Sequence, residues 1–263
     1  ADLTTLTLTG AGDITITGFT AAADSPTTVD ASAMTGAAAV TVTSSAVATT
    51  MTAGSGGATF VGGSGADTIT GGTGVDVLTG GAGNDIINGG EGADTTINGG
   101  IGGDTLTGGA GDDNFVMALS QGVLATSVID ASTGNAMAST ASLAAGDVIT
   151  FGNGVDVITD LTVGAGGVDD VNVNTSGATA SALGLGRDDL DNKVGTADDI
   201  LHLSGTYEAS TGKFTLSADG IGQDTLIIDV VTGTAVSRDI TTNSTMFILQ
   251  GVDSDNMVAG DLI

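Results

Sequence analysis

Cysteine and tryptophan are absent from this 263-residue chain, and proline, histidine and tyrosine occur once each. Without cysteine there is no disulfide to staple the fold, and thiol catalysis is ruled out. One histidine is too few for an ordinary zinc site, and the sequence contains no HExxH. His202 lies in the β-prone run Ile200-Leu201-His202-Leu203 and reads as a strand residue rather than a base. Serines are plentiful, but there is no GxSxG and no evident base to complete a triad. Basic residues are almost as scarce: four Lys and Arg face 31 Asp and Glu, a net charge of -27. Such a chain repels nucleic acid and anionic membranes, and repels itself on compaction unless cations bind. No run of 18 apolar residues predicts a membrane span, so no membrane insertion is expected. Ala1 opens no charged n-region with an apolar stretch behind it, which fits a fragment or a processed product. Six Phe and one Tyr are few platforms for stacking sugars, so paired-carboxylate glycoside hydrolysis has little support. The sequence reads as a non-enzyme.

What is present is glycine, 45 residues of it, and much of it is periodic. From Gly62 to Val116 the chain reads GGSGADTIT, GGTGVDVLT, GGAGNDIIN, GGEGADTTIN, GGIGGDTLT and GGAGDDNFV. Each unit has nine residues except the fourth, Gly89 to Asn98, which has ten. The sixth position is always aspartate: Asp67, Asp76, Asp85, Asp94, Asp104 and Asp113. Glycine allows a sharp turn and leaves carbonyl oxygens exposed. The candidate turn residues are Gly62 and Gly65, Gly71 and Gly74, Gly80 and Gly83, Gly89 and Gly92, Gly99 and Gly102, and Gly108 and Gly111. The aspartate adds a hard carboxylate oxygen to those carbonyls. Calcium takes about six to eight oxygens of both kinds at about 2.3–2.6 Å, so the pattern suits several Ca2+ ions. After each turn comes a short strand with an apolar residue, Ile69, Leu78, Ile87, Leu106 or Phe115, able to point inward. Two units make one winding. One edge is then expected to carry Asp67, Asp85 and Asp104, and the other Asp76, Asp94 and Asp113. The extra residue near Thr96 and Ile97 predicts either a bulge or a change in which side chain faces in.

The nonapeptide resembles the glycine-rich repeat of calcium-binding RTX proteins. The resemblance implies an all-β, right-handed parallel β-roll or β-helix with calcium between adjacent turns. The roll is expected over residues 53–116, after a β-rich segment at 1–52 and before a β-rich region at 117–263. In the first segment Leu6, Leu8, Ile14 and Ile16 alternate with threonines, which fits a β-helix running into the roll or a separate sandwich. Ala53 to Val61 looks like a repeat in which Ala58 replaces the aspartate. Beyond residue 116, Ile129-Asp130-Ala131-Ser132 echoes Val29-Asp30-Ala31-Ser32. Asn153 to Thr159 resembles the unit of Asp76, and Gly220 to Leu226 has the spacing of the end of a repeat. The acidic stretch with Asp188, Asp191 and Asp198 is a further candidate calcium loop, and Asp169, Asp170 and Asp224 are weaker candidates.

The tail, with Met246-Phe247-Ile248-Leu249-Gln250-Gly251-Val252-Asp253 and an apolar ending, is similar to the C-terminal signal of RTX proteins exported by type I secretion. It also fits a final strand pair that closes the fold. The Thr/Ala/Gly-rich strands are similar to calcium-dependent surface-layer proteins of Gram-negative bacteria. This resemblance implies an extracellular or cell-surface protein that folds in calcium and self-associates into a lattice or filament. Cell-surface polysaccharide is a further candidate partner. The alternatives are a secreted adhesin, a biofilm-matrix component, or the non-catalytic RTX domain of a secreted enzyme or toxin.

Overall fold

The computed structural model describes residues 4–19, 27–36, 39–44, 48–118, 125–129, 131–134, 136, 146–151, 155–162, 169–174, 199–217, 222–230 and 244–252. The described residues are all-β, and none of them forms a helix that could cross a membrane. The chain divides into two compact units, one of residues 1–117 with 168–172, the other of 118–167 with 173–263.

The first unit is a parallel solenoid. Its strands are β1 (Thr5–Gly10), β2 (Ile14–Phe19), β3 (Thr27–Met34), β4 (Val40–Ser44), β5 (Thr49–Thr52) and β6 (Ala58–Ser64), followed by β7 (Thr68–Gly72), β8 (Val77–Ala82), β9 (Ile86–Glu91), β10 (Thr96–Ile101), β11 (Thr105–Ala110) and β12 (Asn114–Ala118). The odd strands pair in the order β1-β3-β5-β7-β9-β11 and the even ones in the order β2-β4-β6-β8-β10-β12. The pairings within both sheets are parallel. The N-terminal strands therefore wind continuously into the repeats and form no separate sandwich.

Period-two alternation sends one large apolar side chain per repeat strand inward. Val29, Met51, Ile69, Ile87 and Leu106 are in register in the odd sheet, and Val42, Phe60, Leu78, Ile97 and Phe115 in the even one. All ten are fully buried. The windings can stack closely only where the turn lacks a side chain. Gly81 has φ of 116°, and a β-carbon there would collide with the Gly63 carbonyl of the previous winding. The tenth residue of the fourth repeat is absorbed at its strand entry. Thr95 donates its N–H to the Asp76 carbonyl at 3.1 Å, while Thr96 already pairs with Val77. The result is a bulge, and Ile97 keeps its inward place.

After Met117 most of the strands pair antiparallel. The later strands are β13 (Ala125–Ile129), β14 (Val148–Phe151), β15 (Asp156–Ile158), β16 (Asp170–Asn174), β17 (Asp199–Glu208), β18 (Lys213–Leu216), β19 (Asp224–Val230) and β20 (Ser244–Leu249). In the second unit β13, β14, β18, β17, β19 and β20 pair antiparallel in that order, and β15 joins β20 in parallel. The echo at 220–226 is thus no winding of the roll: its strand, β19, pairs antiparallel with β17 on one side and β20 on the other. Its core is thicker, with Ile149, Phe151, Phe214, Leu226, Met246 and Ile248 among its buried members, and Tyr207 set edge-on to Phe151 at 6.5 Å. His202 lies in β17 opposite Ile227, as a strand residue.

A core of single-file side chains has no slack, since nothing behind a deleted group can collapse into its place. Leu78→Ala is expected to cost about 2–5 kcal/mol, read by denaturant unfolding with calcium held in excess. A cost below about 1 kcal/mol would mean that the column adds little to stability.

Candidate metal centre

Each repeat aspartate sits where the chain leaves its glycine turn and enters the next strand, and all six are buried, with at most 2% of their surface exposed. They form two ladders along the roll. On one edge the Asp67 N–H donates to Asp85 Oδ1 at 2.7 Å, and the Asp85 N–H to Asp104 Oδ1 at 2.8 Å. On the other, the Asp76 N–H donates to Asp94 Oδ1 and the Asp94 N–H to Asp113 Oδ1, both at 2.9 Å. Thr49 and Ala58 occupy the rungs before the first carboxylates and donate their N–H groups to Asp67 and Asp76. Ala58 therefore takes the aspartate position of its winding without bringing a carboxylate.

The other oxygen is turned back over the turn. Oδ2 of Asp67, Asp76, Asp85 and Asp94 is buried and has no hydrogen-bond partner. A β-carbon on Gly62 would collide with Asp67 Oδ2 and lie 2.5 Å from the carbonyl oxygen of Gly80, the equivalent glycine one winding on. The same pairing recurs around Gly71, Gly80 and Gly89 with Asp76, Asp85 and Asp94 and the next carbonyls, of Gly89, Gly99 and Gly108. The first glycine of a repeat is therefore the floor of a pocket in which a carboxylate oxygen and a carbonyl oxygen converge. Asp104 and Asp113 fold over Gly99 and Gly108 in the same way. Among the described residues, no three Asp, Glu or His side chains gather as a metal cluster. A cation on these edges must draw on backbone oxygens too, which suits calcium and not zinc.

A buried carboxylate with one oxygen unbonded is costly as an anion. Burial pushes Asp76 up to about 7 and Asp67 and Asp104 up to about 6, and raises Asp85 and Asp94 as well. The ladder N–H bonds act in the opposite direction, while carboxylates on the same edge add to the rise at Asp67, Asp76 and Asp104. A bivalent cation would remove both the repulsion and the unmet acceptor.

The structure also places a carboxylate that the repeat pattern does not include. The Asp113 N–H donates to Asp169 Oδ1 at 3.0 Å, so Asp169 continues the ladder of Asp76, Asp94 and Asp113 across 56 residues of sequence. Asp169, one of the weaker candidates in the sequence, ends the run Gly164-Ala165-Gly166-Gly167-Val168-Asp169, which has the spacing of a repeat with Ala165 in place of its second glycine. Asp224 has a different role. Its two oxygens accept the Tyr207 N–H at 2.8 Å and the Gly251 N–H at 3.0 Å, tying β17 to the turn after β20. Asp188, Asp191 and Asp198 lie outside the described residues, as does the tail after Val252.

The raised carboxyls make cation-free stability depend on pH in a defined direction. Their folded values lie above the unfolded value of about 3.9, so protonation favours the fold, and the stabilisation is lost as pH rises through about 6–7. In EDTA, the thermal midpoint of the roll is expected to rise as pH is lowered from about 8 to about 5. In millimolar calcium the trend is expected to reverse, because protons then compete with the cation. A midpoint in EDTA that does not move across this window would mean that the carboxylates are hydrated in the cation-free protein.

Residues 61–95 and 96–116 match the family model of the RTX calcium-binding nonapeptide repeat (4 copies). No curated protein matches the chain. Among solved structures, the chain is similar to the AlgE6R3 subunit of the Azotobacter vinelandii mannuronan C5-epimerase, with 20% identity over 84% of this chain and 81% of that one. The TM-score is 0.35, a likeness too distant to carry an argument. The match and the ladders coincide on the same residues: the stretch 61–116 is an RTX-type calcium-binding nonapeptide roll, with Ca2+ as its cation.

Proposed function

We propose that this chain is a calcium-set, non-catalytic structural module of a secreted protein, used for adhesion. The observation that carries the reading is the pair of buried carboxylate ladders, whose second oxygens face backbone carbonyls of the adjacent winding. Calcium supplies positive charge and a demand for oxygen ligands at those points. The ligands assigned are Asp67, Asp85 and Asp104 on one edge and Asp76, Asp94 and Asp113 on the other, with carbonyls of the turn glycines. With four basic residues against 31 acidic ones, the chain has little internal means of neutralising these edges. Where calcium is scarce the edges repel and the single-file core must hold the windings alone, so export as an unfolded chain and folding outside the cell follow naturally.

The outer face of the odd sheet supports a contact role. Two ranks, Thr50-Thr68-Ile86-Thr105 and Thr52-Thr70-Asn88-Thr107, run along the roll without a charged residue. Parallel windings keep such ranks in register, as a repetitive partner such as a surface polysaccharide or another copy of the chain would require. A surface-layer or filament subunit is the second reading. It rests on these same uncharged ranks and on the resemblance of the Thr/Ala/Gly-rich strands.

Calcium dependence should be confined to the roll. In hydrogen exchange, β7–β11 are expected to lose amide protection in EDTA and regain it with calcium, while β17–β20 stay protected in both. Equal protection of β7–β11 in EDTA and in calcium would sink the calcium-set reading. Electron microscopy in millimolar calcium, beside an EDTA control, separates the two uses. Dispersed folded particles support the adhesive module, and regular sheets or filaments formed only with calcium support the layer subunit.

A further inference from the structure

We infer that Asp169, separated in sequence from the sixth repeat, adds a further rung to the edge of Asp76, Asp94 and Asp113, and that its carboxylate is a calcium ligand there. The inference rests on the calcium reading above and extends it to a residue outside the matched repeats.

Four observations place Asp169 on this edge. Its Oδ1 accepts the Asp113 N–H at 3.0 Å, as Asp113 accepts that of Asp94 and Asp94 that of Asp76, both at 2.9 Å. The next residue repeats the backbone bond of the edge: the Asp170 N–H donates to the Asp113 carbonyl at 2.7 Å, as that of Asn114 donates to the Asp94 carbonyl at 2.9 Å. β16 lies beyond β12 at the end of the even sheet, and Val171 is fully buried, as are Ile97 and Phe115 at the same place in the repeat. In sequence, Gly164-Ala165-Gly166-Gly167-Val168-Asp169-Asp170-Val171-Asn172 keeps the first and fourth glycines, the aspartate and the apolar strand residue in phase. Only the second glycine is replaced.

The chemistry follows from what lies between neighbouring windings. Around Gly89 the Asp94 carboxylate oxygen meets the carbonyl of Gly108, a residue of the following winding. Each carboxylate on this edge is followed by another one winding on, and beyond the six contiguous repeats the carboxylate that follows Asp113 is that of Asp169. Asp169, 6% exposed, supplies a hard carboxylate there. Adding it without a cation would extend a row of like charges in a poorly hydrated setting. With calcium, the added carboxylate supplies a hard oxygen ligand and its charge is neutralised.

The test is native mass spectrometry of the full chain with calcium, comparing Asp169→Asn and Asp94→Asn with the unmodified protein. Asparagine keeps the Oδ1 acceptor for the Asp113 N–H and removes the charge, so it separates ligation from hydrogen bonding. Asp169→Asn is expected to hold one calcium fewer. Hydrogen exchange in calcium should show faster exchange in β12 and unchanged protection in β7–β9, which establishes that the variant has folded. An unchanged ion count in Asp169→Asn, with a reduced count in Asp94→Asn, would overturn the inference and leave Asp169 as a hydrogen-bond acceptor. If the unmodified protein held no calcium, the inference would fall together with the reading beneath it.

Discussion

The first unit depends on a row of carboxylates held where water cannot reach them. Each has one oxygen tied to the N–H of the previous winding and the other laid over the glycine of its own turn. The first of these contacts links successive windings and fixes their register. The second requires glycine at the head of each repeat, because a β-carbon there would occupy the space of the oxygen. Stacked along an edge, the same carboxylates oppose the compaction that brings them together. A cation that accepts both carbonyl and carboxylate oxygens would relieve the conflict, as calcium does.

The thinness of the core belongs to the same design. One inward side chain per repeat strand is what a winding of two short strands and two glycine turns can enclose. Each buries about 1.5–3 kcal/mol worth of apolar surface, set against the ordering of some nine residues of backbone. The second unit is built on other terms. Its antiparallel sheet gathers aromatic and branched residues from several strands into one cluster, and its buried Asp224 has both oxygens satisfied by backbone N–H groups. The contrast is between a buried carboxylate such as that of Asp67, whose Oδ2 has no hydrogen-bond partner, and one whose two oxygens both accept N–H bonds.

The tail is part of the fold of the second unit. Met246 to Leu249 is a buried strand paired antiparallel with β19, and Thr225 Oγ1 donates to the Val252 carbonyl at 2.7 Å. The apolar run that resembles an export signal is thus also a structural strand of the second unit.

Sequence alone determined the repeat, the two edges and the inward columns, because each follows from distances of nine and eighteen residues along one chain. Asp67 and Asp85, or Ile69 and Ile87, meet because identical windings separate them, and the spacing itself states the contact. The bulge at Thr95 was half legible: a tenth residue had to go somewhere, but only the bond from Thr95 to the Asp76 carbonyl showed where. Tertiary structure decided the rest. The fragment at 220–226 carries repeat-like letters, yet β19 pairs antiparallel with β17 and β20, since a local motif without a matching winding eighteen residues away has nothing to stack on. Asp169 is the opposite case: its matching winding exists but lies across 56 residues, where no period points to it. Asp224 reads in the sequence as a weak calcium candidate, and its tie to two backbone N–H groups is not legible there, because every residue but proline has such a group. Local spacing can specify contacts that a repeat enforces; contacts between unlike, distant segments depend on which surfaces the folded chain leaves to be covered.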